Sequence, residues 1–396
     1  MPRTIRVFTA AAGTVMLAVA VATPTQAADP LRIGVMTDLS GTYAILGEEV
    51  MQAVRFAVDE ANAQGGVAGH KVEYKSYDTE AKPDLARRQA EKLVSEGYPI
   101  LTGLIASGES LAIAPLMERW GSIYIATISK ADEITGANCV ARVFRVNSQS
   151  AMDAATVKPW LAQRKEKKWA VVGVDIAWGR GSGQLFAKTA TSLGKEMVAE
   201  LYTPANTNDF APYIEQVKNS GAEGVWVALA GRDAINFAQQ AKQFGLTDKI
   251  TVAGVSFTTD STVKTLGDSA KGIYGIINYS STLDTPENNE FVKAWTAKYN
   301  APPANFAGET YLGMQVLFET VKAANSVKPD DVAKKMSGRT FDTIMGKVTM
   351  RAEDHQLLKP NYFGVVEAVD GVLRPVVKTT VSGAEVAPPV TCKLTN

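Results

Sequence analysis

Short apolar runs alternate with amphipathic segments along most of this chain, from residue 31 to residue 277. The segments between the runs carry apolar residues at helical spacing, as in Val50, Val54 and Val58. Strands that alternate with helices in this way form βαβ units, in which helices cover both faces of a mainly parallel sheet. The pattern occurs twice, with a break near Asn147, and therefore predicts an α/β fold of two units, each about 120 residues long.

The rhythm changes after Ser280. Helical segments follow at 287–299, 305–325 and 329–336, and because they have no strands of their own to cover, we expect them to return to the first sheet. Alternating runs on either side of Asp370-Gly371 predict a hairpin near the C-terminus.

The first 27 residues have the composition of a secretory signal peptide. Arg3 and Arg6 provide a basic start, residues 8–22 an apolar core, and residues 25–27 a small-residue cleavage site. A membrane-spanning helix needs roughly 20 apolar residues and this core has only about 15, so an uncleaved anchor is the weaker interpretation. We expect cleavage near Ala27 and export of the remaining chain.

The charge balance gives no sign of a nucleic-acid partner, and the cysteine content suggests one disulfide. The chain has 41 basic and 41 acidic residues, and loss of the signal peptide, which holds two Arg and no acid, leaves a net charge of about −2. This balance gives no indication of nucleic-acid binding. Cys139 and Cys392 are the only cysteines. An even count in an exported chain favours a disulfide between them, with two separate buried thiols as the alternative.

No catalytic motif supports an enzyme. After the signal peptide the chain has only two histidines, His70 and His355, both in polar surroundings that indicate exposed side chains. It lacks HExxH, GxSxG, CxxC and Walker A sequences. The glycine-rich stretch 179–183 is better explained as a helix start than as a phosphate loop. We find no acid or histidine cluster with metal-ligand spacing, so we expect a non-enzymatic protein without cofactor or metal.

Residues 103–135 contain the best candidates for a ligand site. Two hydroxyl-bearing turns, 106–110 and 126–130, each follow a short apolar run. In an open α/β sheet, ligands bind at the carboxyl ends of the strands, where helix N-termini also offer free N–H groups to anions. We therefore expect the two turns to form one wall of a ligand cleft.

Four segments together resemble one known family. They are Ser40-Gly41-x-Tyr43-Ala44-x-x-Gly47, Glu60-Ala61-Asn62-Ala63-x-Gly65-Gly66-Val67-x-Gly69, Tyr77-Asp78 and the 103–135 stretch. They are similar to the leucine/isoleucine/valine (branched-chain amino acid) binding family of ABC transporters, and the resemblance covers essentially the whole chain after the signal peptide. It implies a type I periplasmic binding fold, in which two Rossmann-like lobes with parallel sheets are joined by a three-crossover hinge and close over a ligand.

The resemblance also implies a function and its partners. It implies a monomeric periplasmic receptor that captures a small carboxylate-bearing solute and delivers it to a permease and ATPase complex in the inner membrane. Lobe one would comprise 29–147 plus 281–358, lobe two 148–280 plus 359–378, and an extended tail 379–396.

The site residues follow from the same resemblance. In the family, a hydroxyl after the third strand holds the ligand carboxylate, and here that residue is Ser107. An aromatic residue of lobe two lies over the ligand, and here Trp178 has that place. The full predicted ligand-binding set is Leu46, Ser107, Gly108, Ser129, Lys130, Trp178, Gly231 and Ser256.

Two departures from the family leave the ligand open. Lys130 stands where the family usually carries a hydroxyl, and its ammonium could pair with a ligand carboxylate or point to solvent. Amino-acid binders use a lobe-two carboxylate for the ligand ammonium, but the loop 254–258 has no acid before Asp260, so Asp233 or Glu109 would have to supply that charge. A buried ammonium without a counter-charge costs several kcal/mol.

The ligand alternatives are therefore a hydrophobic amino acid, by family, and an aromatic or aliphatic carboxylic acid that lacks an ammonium group, by these residues. An alternative from another class is a periplasmic ligand sensor for a membrane receptor.

Overall fold

The computed structural model describes residues 1, 2, 4, 28–369 and 371–394. The predicted signal peptide, including its cleavage site, lies almost entirely outside the described residues, and so does Asp370 of the predicted hairpin turn. Within the described part of the chain, no helix is both long enough and apolar enough to span a bilayer.

Lobe one begins with a five-stranded parallel sheet. Its strands are β1 (Leu31–Thr37), β2 (Val72–Asp78), β3 (Ile100–Thr102), β4 (Ile123–Ala126) and β5 (Val143–Arg145). The connecting helices are α1 (Ala44–Ala63), α2 (Pro83–Ser95) and α3 (Ser107–Ile113). The strands lie in the order β2-β1-β3-β4-β5, and Ile33, Ile100 and Ile123 are paired across the sheet centre. Such near-continuous apolar strands are typical of a parallel sheet buried on both faces.

Lobe two repeats this arrangement. Its helices are α4 (Ser150–Gln163), α5 (Ala177–Ser192), α6 (Ala211–Asn219), α7 (Gly231–Gln243) and α8 (Asp260–Leu266). They alternate with the strands β6 (Lys168–Val174), β7 (Glu196–Thr203), β8 (Gly224–Ala228), β9 (Thr251–Val255) and β10 (Tyr274–Ile277). All pairings among these strands are parallel.

The chain then returns to lobe one. The returning elements are α9 (Pro286–Tyr299), α10 (Asn305–Ala324), α11 (Pro329–Met336), β11 (Thr340–Thr343), β12 (Gly346–Met350) and β13 (Leu357–Leu358). Phe56 of α1 contacts Phe291 and Trp295 of α9, with ring centroids 5.7 and 5.1 Å apart. Tyr311 of α10 stacks on Phe291 at 4.1 Å. This aromatic cluster attaches the returning helices to α1.

The last elements, β14 (Asn361–Val369), β15 (Val372–Val381) and α12 (Gly383–Val386), complete lobe two. Its seven-stranded sheet has the order β15-β14-β10-β9-β8-β6-β7, and β14 is antiparallel to β10. Because β15 extends to Val381, the strand includes residues 379–381, which the sequence analysis assigns to the tail.

Three crossovers join the lobes, at 146–149, 278–285 and 359–360. Two lobes with parallel-rich sheets and a three-crossover hinge confirm the predicted fold class. Cys139 and Cys392 form a disulfide, as predicted, which holds the C-terminal segment against lobe one.

Candidate functional site

A partly open cavity lies between the two lobes, and the space inside it that admits the centre of a water-sized sphere is about 30 Å³. It is lined by Tyr43, Ile105, Ala106, Ser107, Ile128, Lys130 and Phe306 of lobe one and by Ile176, Trp178, Ala230 and Ser256 of lobe two. Most of these residues follow the carboxyl end of a strand, which is where α/β sheets bind ligands.

Ser107 offers one hydrogen-bond donor to this cavity. It is the first residue of α3, and its Oγ accepts the backbone N–H groups of Lys130 and Ala131 at 3.1 and 3.0 Å. These two bonds use the acceptor capacity of the hydroxyl, while its proton has no acceptor among the described residues. Ser107 can therefore donate to an oxygen of a ligand.

The ammonium group of Lys130 is committed elsewhere. Its Nζ lies 2.8 and 3.0 Å from the two carboxylate oxygens of Asp153, and it donates to Ser148 at 2.8 Å and to Asn278 at 2.9 Å. An ammonium has three protons, and these partners use all of them. Lys130 lines the cavity, but its ammonium is not placed to pair with a ligand carboxylate. The geometry therefore corrects the role that the sequence suggested, because Asp153 is a closer and buried counter-charge.

Lys130 belongs to a buried polar group that we name the hinge cluster. Its members are Lys130, Ser148, Asp153, Asn278, Glu309 and Lys359, all at most 5% exposed. Ser148, Asn278 and Lys359 lie on the first, second and third crossover, respectively. Burial lowers the pKa of Lys359 to about 8 and raises the pKa of Glu309 to about 7. The hinge cluster thus connects all three crossovers with two acidic and two basic side chains.

Three residues predicted to bind ligand lie outside the cavity wall. The hydroxyl of Ser129 donates to the Leu104 carbonyl at 3.0 Å, which directs it into lobe one. Leu46 lies in the first turn of α1 and is fully buried in the core. Gly108 faces Pro83, whose Cγ would lie 3.4 Å from a Cβ at that position. Each is a close sequence neighbour of a wall residue, and one step along a loop or helix turns the side chain to another direction.

Gly231 shapes the contact between the lobes instead of the cavity wall. Its φ of 57° lies in the left-handed region that favours glycine. A Cβ there would lie 2.2 Å from the carbonyl oxygen of Thr42 in lobe one. The Thr42 hydroxyl also bonds to Asn206 of lobe two. Gly231 is therefore required for the close approach of the lobes, while its neighbour Ala230 lines the cavity.

Trp178 and Ser256 form part of the lobe-two wall, opposite Ser107. Trp178 is the second residue of α5 and is 7% exposed. Ser256 has a φ of 56°, a conformation that non-glycine residues rarely adopt outside functional sites and turns. Ligand contact by Ser107, Trp178 and Ser256 stays a prediction, but the structure brings the three residues together at one cavity.

Three buried carboxyl groups lie behind the cavity wall, around Tyr43. Asp38, Glu109 and Asp233 all raise the pKa of the Tyr43 phenol, although burial is the larger cause. Burial itself raises the pKa of Asp38 and of Asp233 to about 6 and that of Glu109 to about 8. None of the three lines the cavity.

The carboxyl groups of Asp38 and Glu109 act as a pair. Asp38 Oδ1 accepts the Thr79 hydroxyl and the Ala81 N–H, and Glu109 Oε2 accepts the Ala106 N–H. Their remaining oxygens are buried without an N–H or O–H donor, and the two groups interact directly. One proton shared between these two oxygens would satisfy both, and Glu109 Oε2 would continue to accept the N–H of Ala106, a wall residue.

The sequence analysis placed Ala106 and Ile128 in the two turns expected to form the wall, but it missed the other apolar wall residues, namely Ile105, Ile176, Ala230 and Phe306. All except Phe306 lie within two residues of a predicted site residue, so their position in the chain was an available clue. Phe306 opens α10 in the returning segment. No local pattern places it at the cavity, because it arrives there only through the packing of α10 on α1.

The expectation for His355 was wrong. The side chain is 5% exposed because its ring stacks on Phe144 at 4.1 Å, and burial lowers its pKa to about 4. Over residues 28–369 and 371–394, no three His, Cys, Asp or Glu side chains are grouped so as to hold a metal ion.

Comparisons with known proteins agree with this geometry. A sequence profile described as "Periplasmic binding protein" matches residues 30–371. A Leu/Ile/Val-binding protein homolog 8 from Brucella abortus is 28% identical over 324 residues, which is 78% of this chain and 80% of that protein.

Two solved structures are similar over most of their length. A solute-binding protein of an ABC transporter from Rhodopseudomonas palustris BisB5, in complex with 3,4-dihydroxybenzoic acid, has a TM-score of 0.83 and 25% identity, covering 90% of this chain and 98% of that chain. A solute-binding protein of an ABC transporter from R. palustris, in complex with benzoate, has a TM-score of 0.84 and 25% identity, with coverage of 92% and 100%.

Proposed function

Because the chain belongs to the periplasmic binding protein family, we propose that it is the solute receptor of an ABC importer. It captures a small carboxylate-bearing solute between its lobes and delivers it to a permease and ATPase complex in the inner membrane. The observation that carries this proposal is the interlobe cavity, where the Ser107 hydroxyl proton has no acceptor among the residues that the structure describes. The receptor binds and releases its solute without making or breaking a covalent bond.

Location and assembly follow from the same proposal. The signal peptide over residues 1–27 directs the chain to the periplasm and is removed near Ala27. The mature receptor works as a monomer, because closure of two lobes within one chain encloses the solute. The solute-binding proteins from R. palustris, which are ABC transporter components, support this assignment.

The cavity favours a carboxylic acid that lacks an ammonium group. No Asp or Glu lies among the described residues that line it, and the one lysine ammonium nearby is already paired with Asp153. Neutral donors such as the Ser107 hydroxyl can hold a carboxylate, but a ligand ammonium would be buried without a counter-charge, at several kcal/mol. Two structural neighbours that hold benzoate or dihydroxybenzoic acid support an aromatic acid.

A hydrophobic amino acid is the second candidate. Asp38, Glu109 and Asp233 lie close enough to Tyr43, a wall residue, to raise the pKa of its phenol, and their negative charge would attract an ammonium that reached the cavity. The relative from Brucella abortus that is called a Leu/Ile/Val-binding protein homolog supports this candidate. It requires that the ammonium reach one of these carboxyl groups, although none of the three lines the cavity.

Isothermal titration calorimetry of the mature chain separates the two candidates. We expect benzoate or 3,4-dihydroxybenzoate to bind and leucine to bind at least tenfold more weakly. The reverse ranking would select the amino acid, and no binding by any of the three would contradict the proposed solute class.

The Ser107→Ala variant tests the site itself. Loss of a hydrogen bond to a charged group removes about 1.5 to 3 kcal/mol, so affinity should fall by about tenfold or more. Ser110→Ala is the matched control, because Ser110 is buried on the same helix but bonds to Tyr124 and Ser129, outside the cavity. Equal affinities for the two variants would contradict a ligand contact by Ser107.

A further inference from the structure

The indole N–H of Trp178 is a buried donor without an acceptor. Trp178 is 7% exposed and lines the cavity, and its Nε1 has no hydrogen-bond partner in the described part of the chain. An indole nitrogen can only donate, so no change of tautomer or rotation of a proton resolves this. Native proteins rarely leave a buried N–H unpaired, because the lost solvation is not recovered.

Two other buried tryptophans of the same lobe show the usual arrangement. Trp226 Nε1 donates to the Ser182 hydroxyl at 3.2 Å, and Trp169 Nε1 donates to the Glu166 carbonyl at 3.2 Å. Neither lines the cavity. Among the described residues, Trp178 thus differs from both because its N–H lacks an acceptor and because the residue lines the cavity.

We propose that the Trp178 indole donates a hydrogen bond to an oxygen of the solute, and that this bond makes Trp178 a specificity-determining residue of lobe two. The inference deepens the proposed function and rests on it. The solute would carry acceptor oxygens within reach of both lobes, because α3, which begins with Ser107, contacts α5, which carries Trp178, across the cleft. A hydrocarbon group or an ammonium placed at the indole would leave the N–H unpaired.

This arrangement also connects binding to closure. Ser107 donates from lobe one and Trp178 donates from lobe two, so a solute that accepts from both joins the two lobes through its own oxygens. With the lobes apart, water would solvate the indole N–H, and with the lobes closed only the solute can replace that water. A solute oxygen that accepts the indole N–H therefore contributes to affinity and also stabilises the closed form.

The test replaces the donor and keeps an aromatic ring. Trp178→Phe and the control Trp226→Phe each remove one buried indole N–H from lobe two, but only Trp226 has a protein acceptor to lose. Urea unfolding without ligand should show that Trp226→Phe lowers the transition midpoint by more than Trp178→Phe does. An equal or greater loss for Trp178→Phe would overturn the premise that its N–H is unpaired.

Calorimetry with benzoate, 3,4-dihydroxybenzoate and leucine then tests the bond itself. We expect Trp178→Phe to weaken binding about tenfold or more, and Trp226→Phe to leave affinity within about threefold of the wild type. If Trp178→Phe loses affinity for both aromatic acids, the N–H donates to the carboxylate. If it loses affinity only for 3,4-dihydroxybenzoate, the N–H donates to a ring hydroxyl.

Unchanged affinity of Trp178→Phe for every ligand that binds the wild type would overturn the proposal. If none of the three binds the wild type, the proposed solute class fails and the indole bond to these acids fails with it, whereas the unfolding comparison separately tests whether the N–H is unpaired.

Discussion

The strongest prediction concerns the buried ion pair at the hinge, between Lys130 and Asp153. Each side chain is 4% exposed and their charged atoms are 2.8 Å apart. In Asp153→Asn the shape is kept, but the ammonium loses its only hydrogen-bonded counter-charge. Removing one partner of such a buried pair destabilises a protein by about 3 to 5 kcal/mol, because the remaining charge stays buried.

The measurement is urea unfolding followed by circular dichroism. With a slope of about 3 kcal/mol per molar urea, the midpoint of Asp153→Asn should fall by about 1 to 1.7 M. The control is Asp342→Asn, which breaks an ion pair with Lys347 that has a similar separation of 2.9 Å but leaves both side chains 70% exposed. An exposed pair contributes at most about 1 kcal/mol, so the control should shift the midpoint by about 0.3 M or less.

A double variant separates the hinge role of Lys130 from a ligand role. Lys130→Met with Asp153→Leu removes both charges, and replacing a complete buried pair with apolar residues is often neutral or stabilising. We expect it to recover most of the stability lost in Asp153→Asn and to bind benzoate within about threefold of the wild type. If Asp153→Asn and Asp342→Asn had equal effects, or if the double variant lost affinity more than tenfold, the assignment of Lys130 to the hinge would be refuted.

Two further predictions follow from the geometry. Gly231→Ala should weaken solute binding at least tenfold, as measured by calorimetry, because its Cβ would lie 2.2 Å from the Thr42 carbonyl oxygen and oppose closure. Gly181→Ala, with no atom within 4 Å of the added Cβ, should leave affinity unchanged, and equal effects would contradict a role in closure. Burial and the nearby Asp38 raise the pKa of Glu109 from 4.5 to about 8, so the folded state binds this proton more tightly than the unfolded state. The protonated carboxyl therefore stabilises the fold fully below pH 4.5, and this stabilisation is lost as the pH rises to 8. The unfolding free energy of Glu109→Gln, measured by urea unfolding, should therefore fall less between pH 5 and pH 8 than that of the wild type. The same dependence on pH in both proteins would exclude the shared proton.

Local patterns along the chain are sufficient to predict the framework. The alternation of apolar runs and amphipathic segments determines the βαβ units, because each strand and helix must bury its own apolar residues whatever lies around it. The cysteine pair was predictable for a similar reason, since an even count of two leaves only one possible partner. Ser107 was predictable because a hydroxyl at the start of a helix after a buried strand reaches the cleft in any fold of this kind.

Side-chain partners are not encoded locally, and the tertiary structure alone decided them. Lys130 has the sequence context of a cleft residue, but its ammonium bonds to Asn278, 148 positions later, and to Asp153 on a helix of the other lobe. Phe306 reaches the cavity only because α10 returns to pack on α1.

The same distinction applies to the unpaired indole of Trp178. The sequence identified an aromatic residue at the cleft, but only the packed structure shows that its N–H has no acceptor in the part of the chain that the structure describes. Hydrophobic periodicity predicts which face of a helix or strand is buried, because burial depends on the residues of that face taken together. A hydrogen bond depends on the placement of two specific atoms, and the complete fold is what brings them within 3 Å or keeps them apart.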